Sequence, residues 1–159
     1  MAATVLYKSA PLYELLMVVL YGRHYSGRYR AIADLIPAES AVLDLCCGPA
    51  ILYHRYLRRK SIRYTGLDLS STFIQRLNER GARGHVWDLQ EERTLPQADY
   101  VIMQASLYQF LPDAQPIVDR MLRAAHRQVI VSEPIRNITS SKLAPLAFLG
   151  RRFTDPGDG

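Results

Sequence analysis

The stretch that decides the fold of this chain is Ala41-Val42-Leu43-Asp44-Leu45-Cys46-Cys47-Gly48-Pro49-Ala50. It begins as an apolar run that holds one acidic residue and continues as a row of small side chains. This pattern predicts a buried strand, a tight turn and the start of a helix. Glycine at position 48 allows backbone angles closed to other residues, and small side chains at positions 46 and 50 let a ligand lie against the main chain.

Two sequence patterns of small residues can be compared with this turn, and each indicates a different class of ligand. The dinucleotide fingerprint G-x-G-x-x-G would fall on Cys46, Gly48 and Ile51, where two of the three positions fail. A frame of small-x-Gly-x-small instead fits Cys46, Gly48 and Ala50. Asp44 then favours one class of ligand, because a carboxylate repels a pyrophosphate and attracts a ligand that carries an ammonium and a sulfonium. S-adenosylmethionine is such a ligand.

The same residues resemble motif I of the class I S-adenosylmethionine-dependent methyltransferases, in the branch that acts mostly on small molecules. The match runs from Val42 to Ala50, with Cys46 in place of the first glycine and Ala50 in place of the last. The resemblance implies an α/β fold, a doubly wound, Rossmann-like and mostly parallel sheet with strand order 3-2-1-4-5 and helices on both faces. It also implies methyl transfer to a small-molecule acceptor. The alternative is an ordinary strand-turn-helix in another α/β protein.

Apolar periodicity and turn residues predict the other elements of the chain. The predicted helices are 4–22, Arg28–Ile36, Ile51–Lys60, Thr72–Arg80 and Asp113–His126, and the predicted strands after the first are Ile62–Ser70, Gly84–Leu89, Asp99–Met103 and Gln128–Pro134.

Two of these strands carry a further acidic residue near their carboxyl ends. Asp68 follows Asp44 at a spacing that suits one strand-helix-strand unit, and an acid there is placed to accept hydrogen bonds from both ribose hydroxyls. By resemblance, Asp88 bonds the adenine amino group, and Trp87 or Leu89 packs on the ring. The plain alternatives are a solvated strand-end aspartate at position 68 and a core tryptophan at position 87.

The predicted cofactor site joins the turn to the strand ends and to one aromatic residue of the N-terminal helices. Its members are Asp44, Cys46, Cys47, Gly48, Pro49, Ala50, Asp68, Leu69, Trp87, Asp88, Leu89, Gln104 and Tyr25. Gln104 begins the loop after the fourth strand, which is expected to face the transferable methyl group. No catalytic residue is assigned, because direct displacement on a sulfonium can be driven by positioning. If a base is needed, the candidates are Tyr108 and His24.

Charge and loop composition bear on the acceptor. The formal net charge is +5 and the pI is near 9.4, but the arginines are dispersed along the chain, which is typical of solvated helix faces. The loop after the fourth strand lacks the Asn/Asp-Pro-Pro-aromatic and Pro-Cys patterns of nucleobase methyltransferases. A nucleic-acid partner is therefore not expected.

Cysteine usage and apolar runs predict the compartment. The only two cysteines, Cys46 and Cys47, are adjacent, so they are poorly placed for a disulfide, and without histidines at ligand spacing they make a poor zinc site. The apolar run Leu15–Leu20 is too short to span a bilayer. The sequence thus predicts a cytoplasmic protein with neither a membrane anchor nor a metal.

The expected organisation has three parts. Residues 1–38 form an N-terminal helical cap, 39–135 the cofactor-binding α/β core, and 136–159 an apolar segment with a polar tail. The family's domain ordinarily continues beyond the fifth strand, so we expect a C-terminally shortened member whose fifth strand is an edge open to a homodimer or a partner chain.

Three kinds of function follow from this reading. The first is a methyltransferase that converts S-adenosylmethionine to S-adenosylhomocysteine. The second is a module that binds these cofactors without turnover, or one half of a split methyltransferase. A nicotinamide oxidoreductase is disfavoured by Ile51 and Asp44.

Overall fold

The computed structural model describes residues 25–133. Its helices are α1 (Tyr25–Leu35), α2 (Ser71–Glu79) and α3 (Gln115–Ala124), and its strands are β1 (Ala41–Leu45), β2 (Arg63–Asp68), β3 (Arg83–Val86), β4 (Ala98–Gln104) and β5 (Ala125–Ser132). The predicted helix at 4–22, the candidate base His24 and the predicted segment 136–159 lie outside the described residues.

The strands form one sheet in the order β3-β2-β1-β4-β5, and every pair is parallel. This confirms the predicted fold class and strand order. Parallel strands are buried on both faces, which is why β1 reads as a near-continuous apolar run. In the register of the sheet, Asp44 lies between Gly66 of β2 and Ile102 of β4.

Helices α2 and α3 pack on opposite faces of this sheet. A Cβ atom on Gly66 would lie 2.7 Å from Cδ2 of Leu77 in α2, so the missing side chain lets this helix approach closely. Leu67, the next residue, points the other way and joins the core cluster that contains Ile117 and Met121 of α3. Helices on both faces are therefore confirmed.

The helix predicted at Ile51–Lys60 is helical but is not a regular α-helix. After Ile51 the chain widens into a π-helical turn, Tyr53–Leu57, and tightens into a 3-10 turn, Arg58–Lys60. The wide turn buries Leu57 completely while Tyr53 stacks on Tyr64 of β2, with ring centroids 4.4 Å apart. Packing against the sheet thus determines a local geometry that periodicity does not indicate.

Lysine at the end of that segment ties it to α1. Lys60 Nζ donates hydrogen bonds to the carbonyl oxygens of Ala33 (2.5 Å) and Ile36 (2.9 Å), which lie at the carboxyl end of α1. A cation is favourable there because the last helical carbonyls carry partial negative charge and lack intrahelical partners.

The predicted boundaries differ from the observed ones by up to three residues, and at two of them the structure shows the reason. Helix α3 runs directly into β5 at Ala125, three residues earlier than the predicted strand, because Ala125 pairs with Ala98 across a register shift. Strand β3 ends at Val86 rather than Leu89, because Asp88 Oδ1 accepts a hydrogen bond from the Gln90 N–H (2.8 Å) and turns the chain. Residues 87–97, between β3 and β4, form no regular helix or strand.

The described helices include none that has the length and apolar character needed to cross a lipid bilayer.

Candidate functional site

The turn after β1 has three residues in the left-handed region of backbone conformation. Their φ angles are +53° at Cys46, +53° at Gly48 and +52° at Ala50. Only glycine adopts this region without steric cost, so Cys46 and Ala50 each store about 1 kcal/mol of strain. The sequence pattern predicts small side chains at these positions but not this backbone conformation, although the glycines that the resembled motif has at both positions were a signal for it.

Asp68 at the end of β2 holds this turn. Its Oδ2 accepts a hydrogen bond from the Gly48 N–H, and its Oδ1 accepts one from the Ser70 N–H, both at 2.8 Å. Burial raises the pKa of the Asp68 carboxyl, and the two backbone hydrogen bonds oppose that rise. Each carboxylate oxygen keeps a free lone pair, so Asp68 can still accept hydrogen bonds from a ligand.

Asp44 is a buried carboxyl beneath the turn. Its Oδ2 accepts a hydrogen bond from the Tyr64 hydroxyl at 2.7 Å, whereas its buried Oδ1 has no hydrogen-bond partner among the described residues. Burial raises the pKa of Asp44 to about 7, with Tyr64 lowering it and the Asp68 charge raising it. A buried anion with an unsatisfied oxygen is costly, so the site favours a cation or a hydrogen-bond donor beside Oδ1.

Two more buried polar atoms near the carboxyl ends of the strands lack partners among the described residues. They are Oε1 of Gln104, the last residue of β4, and Nε1 of Trp87, which follows β3. Such atoms are rare in folded proteins and call for a ligand or an ordered water. Together with Asp44 Oδ1 they offer two acceptors and one donor, which suits an adenosyl ligand with an amino acid end.

The other predicted cofactor residues occupy varied positions. Asp88 is half-buried, and its Oδ2 remains available for a donor. Leu89 is buried in the core cluster beside α3, and Leu69 is exposed. Pro49 lies within the turn, and Tyr25 begins α1.

The two cysteines pack rather than react. Burial raises the pKa of Cys46 to about 12 and raises the pKa of Cys47 well above its ordinary value, so both remain neutral thiols. Sγ of Cys47 occupies space that a side chain at Gly66 would fill.

The loop after β4 is fixed by an acidic residue that follows β5. Glu133 Oε1 accepts hydrogen bonds from the N–H groups of Ser106 and Leu107, both at 2.8 Å. Tyr108 lies just beyond, in the 3-10 turn Leu107–Phe110. Nothing in the spacing along the sequence indicates this anchoring role of Glu133.

A parallel sheet in the order 3-2-1-4-5 with this turn after its first strand has the fold of the class I S-adenosylmethionine-dependent methyltransferases. The particular family can be stated as well. The chain belongs to the MetW family, since the sequence model of the family described as methionine biosynthesis protein MetW matches residues 27–142. No curated protein sequence matches the chain.

Solved structures similar to this chain share its fold. A TehB-like S-adenosylmethionine-dependent methyltransferase from Corynebacterium glutamicum is 18% identical, with a TM-score of 0.65 over 92% of this chain and 82% of that one. DesVI of Streptomyces venezuelae is 23% identical, with a TM-score of 0.59 over 79% and 57%. A methyltransferase of Geobacter sulfurreducens in complex with S-adenosylhomocysteine is 17% identical, with a TM-score of 0.55 over 71% and 53%. The chain thus spans little more than half the length of the last two.

Proposed function

We propose that this chain binds S-adenosylmethionine and transfers its methyl group to a small-molecule acceptor, leaving S-adenosylhomocysteine. The observation that carries the proposal is the turn at 46–50, which is strained at two positions and tied to β2 by Asp68. It opens beside buried polar atoms that need partners. The cofactor would supply an electrophilic methyl carbon, activated by its sulfonium.

In this proposal the three aspartates hold different parts of the cofactor. Asp44 Oδ1 receives the ammonium, Asp68 the ribose hydroxyls, and Asp88 the adenine amino group. Their support is the free acceptor capacity of each carboxyl. The remaining contacts come from other residues of the turn and the strand ends, which are Cys46, Cys47, Gly48, Pro49, Ala50, Leu69, Trp87, Leu89, Gln104 and Tyr25.

For the acceptor we propose a small metabolite rather than a nucleic acid, with Tyr108 the candidate base among the described residues. The support is the loop after β4, which carries neither nucleobase motif. We propose a cytoplasmic location, and association of two copies or of a partner chain through β5. This strand is the outermost of the described sheet and exposes Val131.

A second candidate is a cofactor-binding module without turnover, or one half of a split enzyme. Its support is that this chain covers 57% of DesVI and 53% of the Geobacter protein, so the activity of those whole proteins carries over to it only as a proposal.

Calorimetric titration with S-adenosylhomocysteine tests binding. We expect micromolar affinity, no binding of NAD, and a loss of at least about tenfold in Asp44→Asn, which removes one charge at constant shape. Glu79→Gln, an exposed carboxyl on α2, is the matched control and should bind as the wild type does. Absence of binding by the wild type would reject the proposal, and binding without methyl transfer to any acceptor of a metabolite extract would favour the second candidate.

A further inference from the structure

The segment 87–97 raises the question of what holds it in place. It joins β3 to β4 without a helix or strand, yet its first three residues include Asp88, which the proposed function assigns to the adenine amino group. Backbone carbonyls in such a segment lack the partners that regular structure supplies. Its position therefore depends on contacts with other parts of the fold.

Arg120 of α3 supplies those contacts. Its Nη1 donates to the carbonyl oxygens of Glu91 (2.6 Å) and Arg93 (3.5 Å), and its Nη2 donates to the carbonyl oxygen of Leu89. One guanidinium thus bonds three alternate carbonyls, which suits its planar fork of donors. Helix α3 is itself fixed, because Ile117 and Met121 are buried in the core.

Packing joins the segment to α3 at two points, since Leu89 and Leu95 are buried in the core cluster that holds Ile117 and Met121, whereas residues 90–94 between them are exposed. An open cleft of about 1090 Å³ lies beside these exposed residues, and it is lined by the segment, by residues 109–113 and by α3 along its whole length. Arg120 spans this cleft. Because residues 90–94 are exposed and border this cleft, they make few packing contacts, and the hydrogen bonds from Arg120 fix their position between the two buried leucines.

The segment also folds onto its own tryptophan. The Arg93 guanidinium lies 3.9 Å from the centroid of the Trp87 ring, and Arg93 Nε is 2.9 Å from Glu91 Oε2. Both side chains of that ion pair are about half exposed, so the pair contributes little by itself. The backbone N–H of Trp87 donates to the carbonyl oxygen of Asp68, and Arg120, by holding the carbonyls of Glu91 and Arg93, fixes the guanidinium that covers the Trp87 ring.

We propose that Arg120 is a positioning residue for adenine recognition, acting from α3 through the carbonyls of Leu89, Glu91 and Arg93. This inference rests on the proposed function. Arg120 itself touches no part of the cofactor, so its loss should weaken the binding of adenosine and of S-adenosylhomocysteine by the same factor. In a turnover assay it should raise KM for the cofactor and leave kcat unchanged.

The chain has a single tryptophan, so the fluorescence of Trp87 reports on the segment without any ligand. The variants are Arg120→Ala and Arg120→Lys, which keeps the charge and loses the fork. The control is Arg123→Ala, an exposed position that lines the same cleft but whose side chain makes no hydrogen bond to the segment 87–97. We expect about tenfold weaker binding of both ligands and stronger acrylamide quenching of Trp87 in Arg120→Ala, with Arg120→Lys intermediate. Arg123→Ala should match the wild type.

The outcomes separate this inference from the proposed function. Ligand affinity within twofold of wild type in Arg120→Ala would overturn it, whether or not quenching changes. Failure of the wild type to bind S-adenosylhomocysteine would reject the proposed function, and a quenching change in Arg120→Ala would then still show that Arg120 holds the segment. Should Arg120→Ala not fold, Arg120→Lys gives the same comparison. A thermal melt monitored by circular dichroism shows whether each variant is folded.

Discussion

The turn at 46–50 and the segment at 87–97 would hold opposite ends of the same cofactor, and they are built by different means. The turn is closed by neighbours in the sheet, because β1 and β2 are paired and Asp68 accepts the N–H of Gly48. The segment is held from a helix on one face of the sheet, by Arg120 across a cleft. The turn is therefore specified locally and the segment by tertiary structure, and variants in each should behave differently.

The largest effect is expected at the turn. In Gly48→Ala the new Cβ meets no atom of the protein within 4 Å, so it enters the open space where the ligand would lie. We predict that S-adenosylhomocysteine binding falls by about a hundredfold or more, while the free energy of unfolding falls by only about 1 kcal/mol from the positive φ.

Calorimetry and urea denaturation check this prediction. Gly27→Ala is the control, because its Cβ also meets nothing and it lies in α1. That change should leave binding intact and stabilise the protein by about 0.5–1 kcal/mol. Wild-type affinity in Gly48→Ala would remove the turn from the site.

The next effect is a pH dependence set by Asp44. Its pKa is about 7 in the folded protein, so the carboxyl is largely neutral under mildly acidic conditions and must ionise to pair with an ammonium. We predict that affinity for S-adenosylhomocysteine rises by up to about tenfold per pH unit below pH 7 and then levels off. In Tyr64→Phe the loss of the hydrogen bond to Oδ2 raises the pKa further, and the midpoint should move upward.

The free energy of unfolding should fall as the pH rises, whereas ligand affinity increases. Because the folded pKa of Asp44 lies above its ordinary value of 3.8, the contribution of this carboxyl to stability is fully present below about pH 4 and is lost as the pH rises through 7. Asp44→Asn should therefore melt at a higher temperature than the wild type at about pH 8, while its weak binding no longer varies with pH. A wild-type affinity that is flat across neutral pH would contradict the role of Asp44.

A smaller effect is expected at the loop after β4. Glu133→Ala leaves the N–H groups of Ser106 and Leu107 without their carboxylate, which should lower the free energy of unfolding by about 1–3 kcal/mol. In the proposed function this loop faces the acceptor, so KM for the acceptor should rise while affinity for S-adenosylhomocysteine stays within threefold. Glu92→Ala, an exposed position, is the control in denaturation and kinetic assays.

The smallest effect concerns backbone strain. Cys46→Gly and Ala50→Gly relieve a positive φ but give the unfolded chain more freedom, so each should change stability by at most about 1 kcal/mol. Ser61→Gly relieves a similar φ of +54° outside the site and should change stability by the same amount. Urea denaturation measures all three, and a gain confined to Ser61→Gly would mean that the turn is not strained.

The same contrast explains how much the sequence could predict. Strand β1, its turn and Asp68 follow from residues adjacent in sequence or one strand-helix-strand unit apart, so spacing was sufficient to predict them. The Asp44–Tyr64 hydrogen bond and the loop anchored by Glu133 depend on strand register, which spacing does not specify.

The contacts of Arg120 with the segment 87–97 could not be predicted from the sequence either. It lies 31 residues from Leu89, and nothing in the helical pattern of α3 separates it from Arg123, which faces solvent. The π-helical turn at Tyr53–Leu57 was missed because the packing of Tyr53 on Tyr64 selects it over the regular helix.

The most direct measurement is a crystal structure of the protein grown with S-adenosylhomocysteine. We expect density for the ligand over the turn at 46–50, with its ribose hydroxyls on Asp68, its amino group beside Asp44 and its adenine near Asp88. Density at another place on the chain, or a turn covered by protein side chains with the three aspartates making no ligand contact, would contradict it.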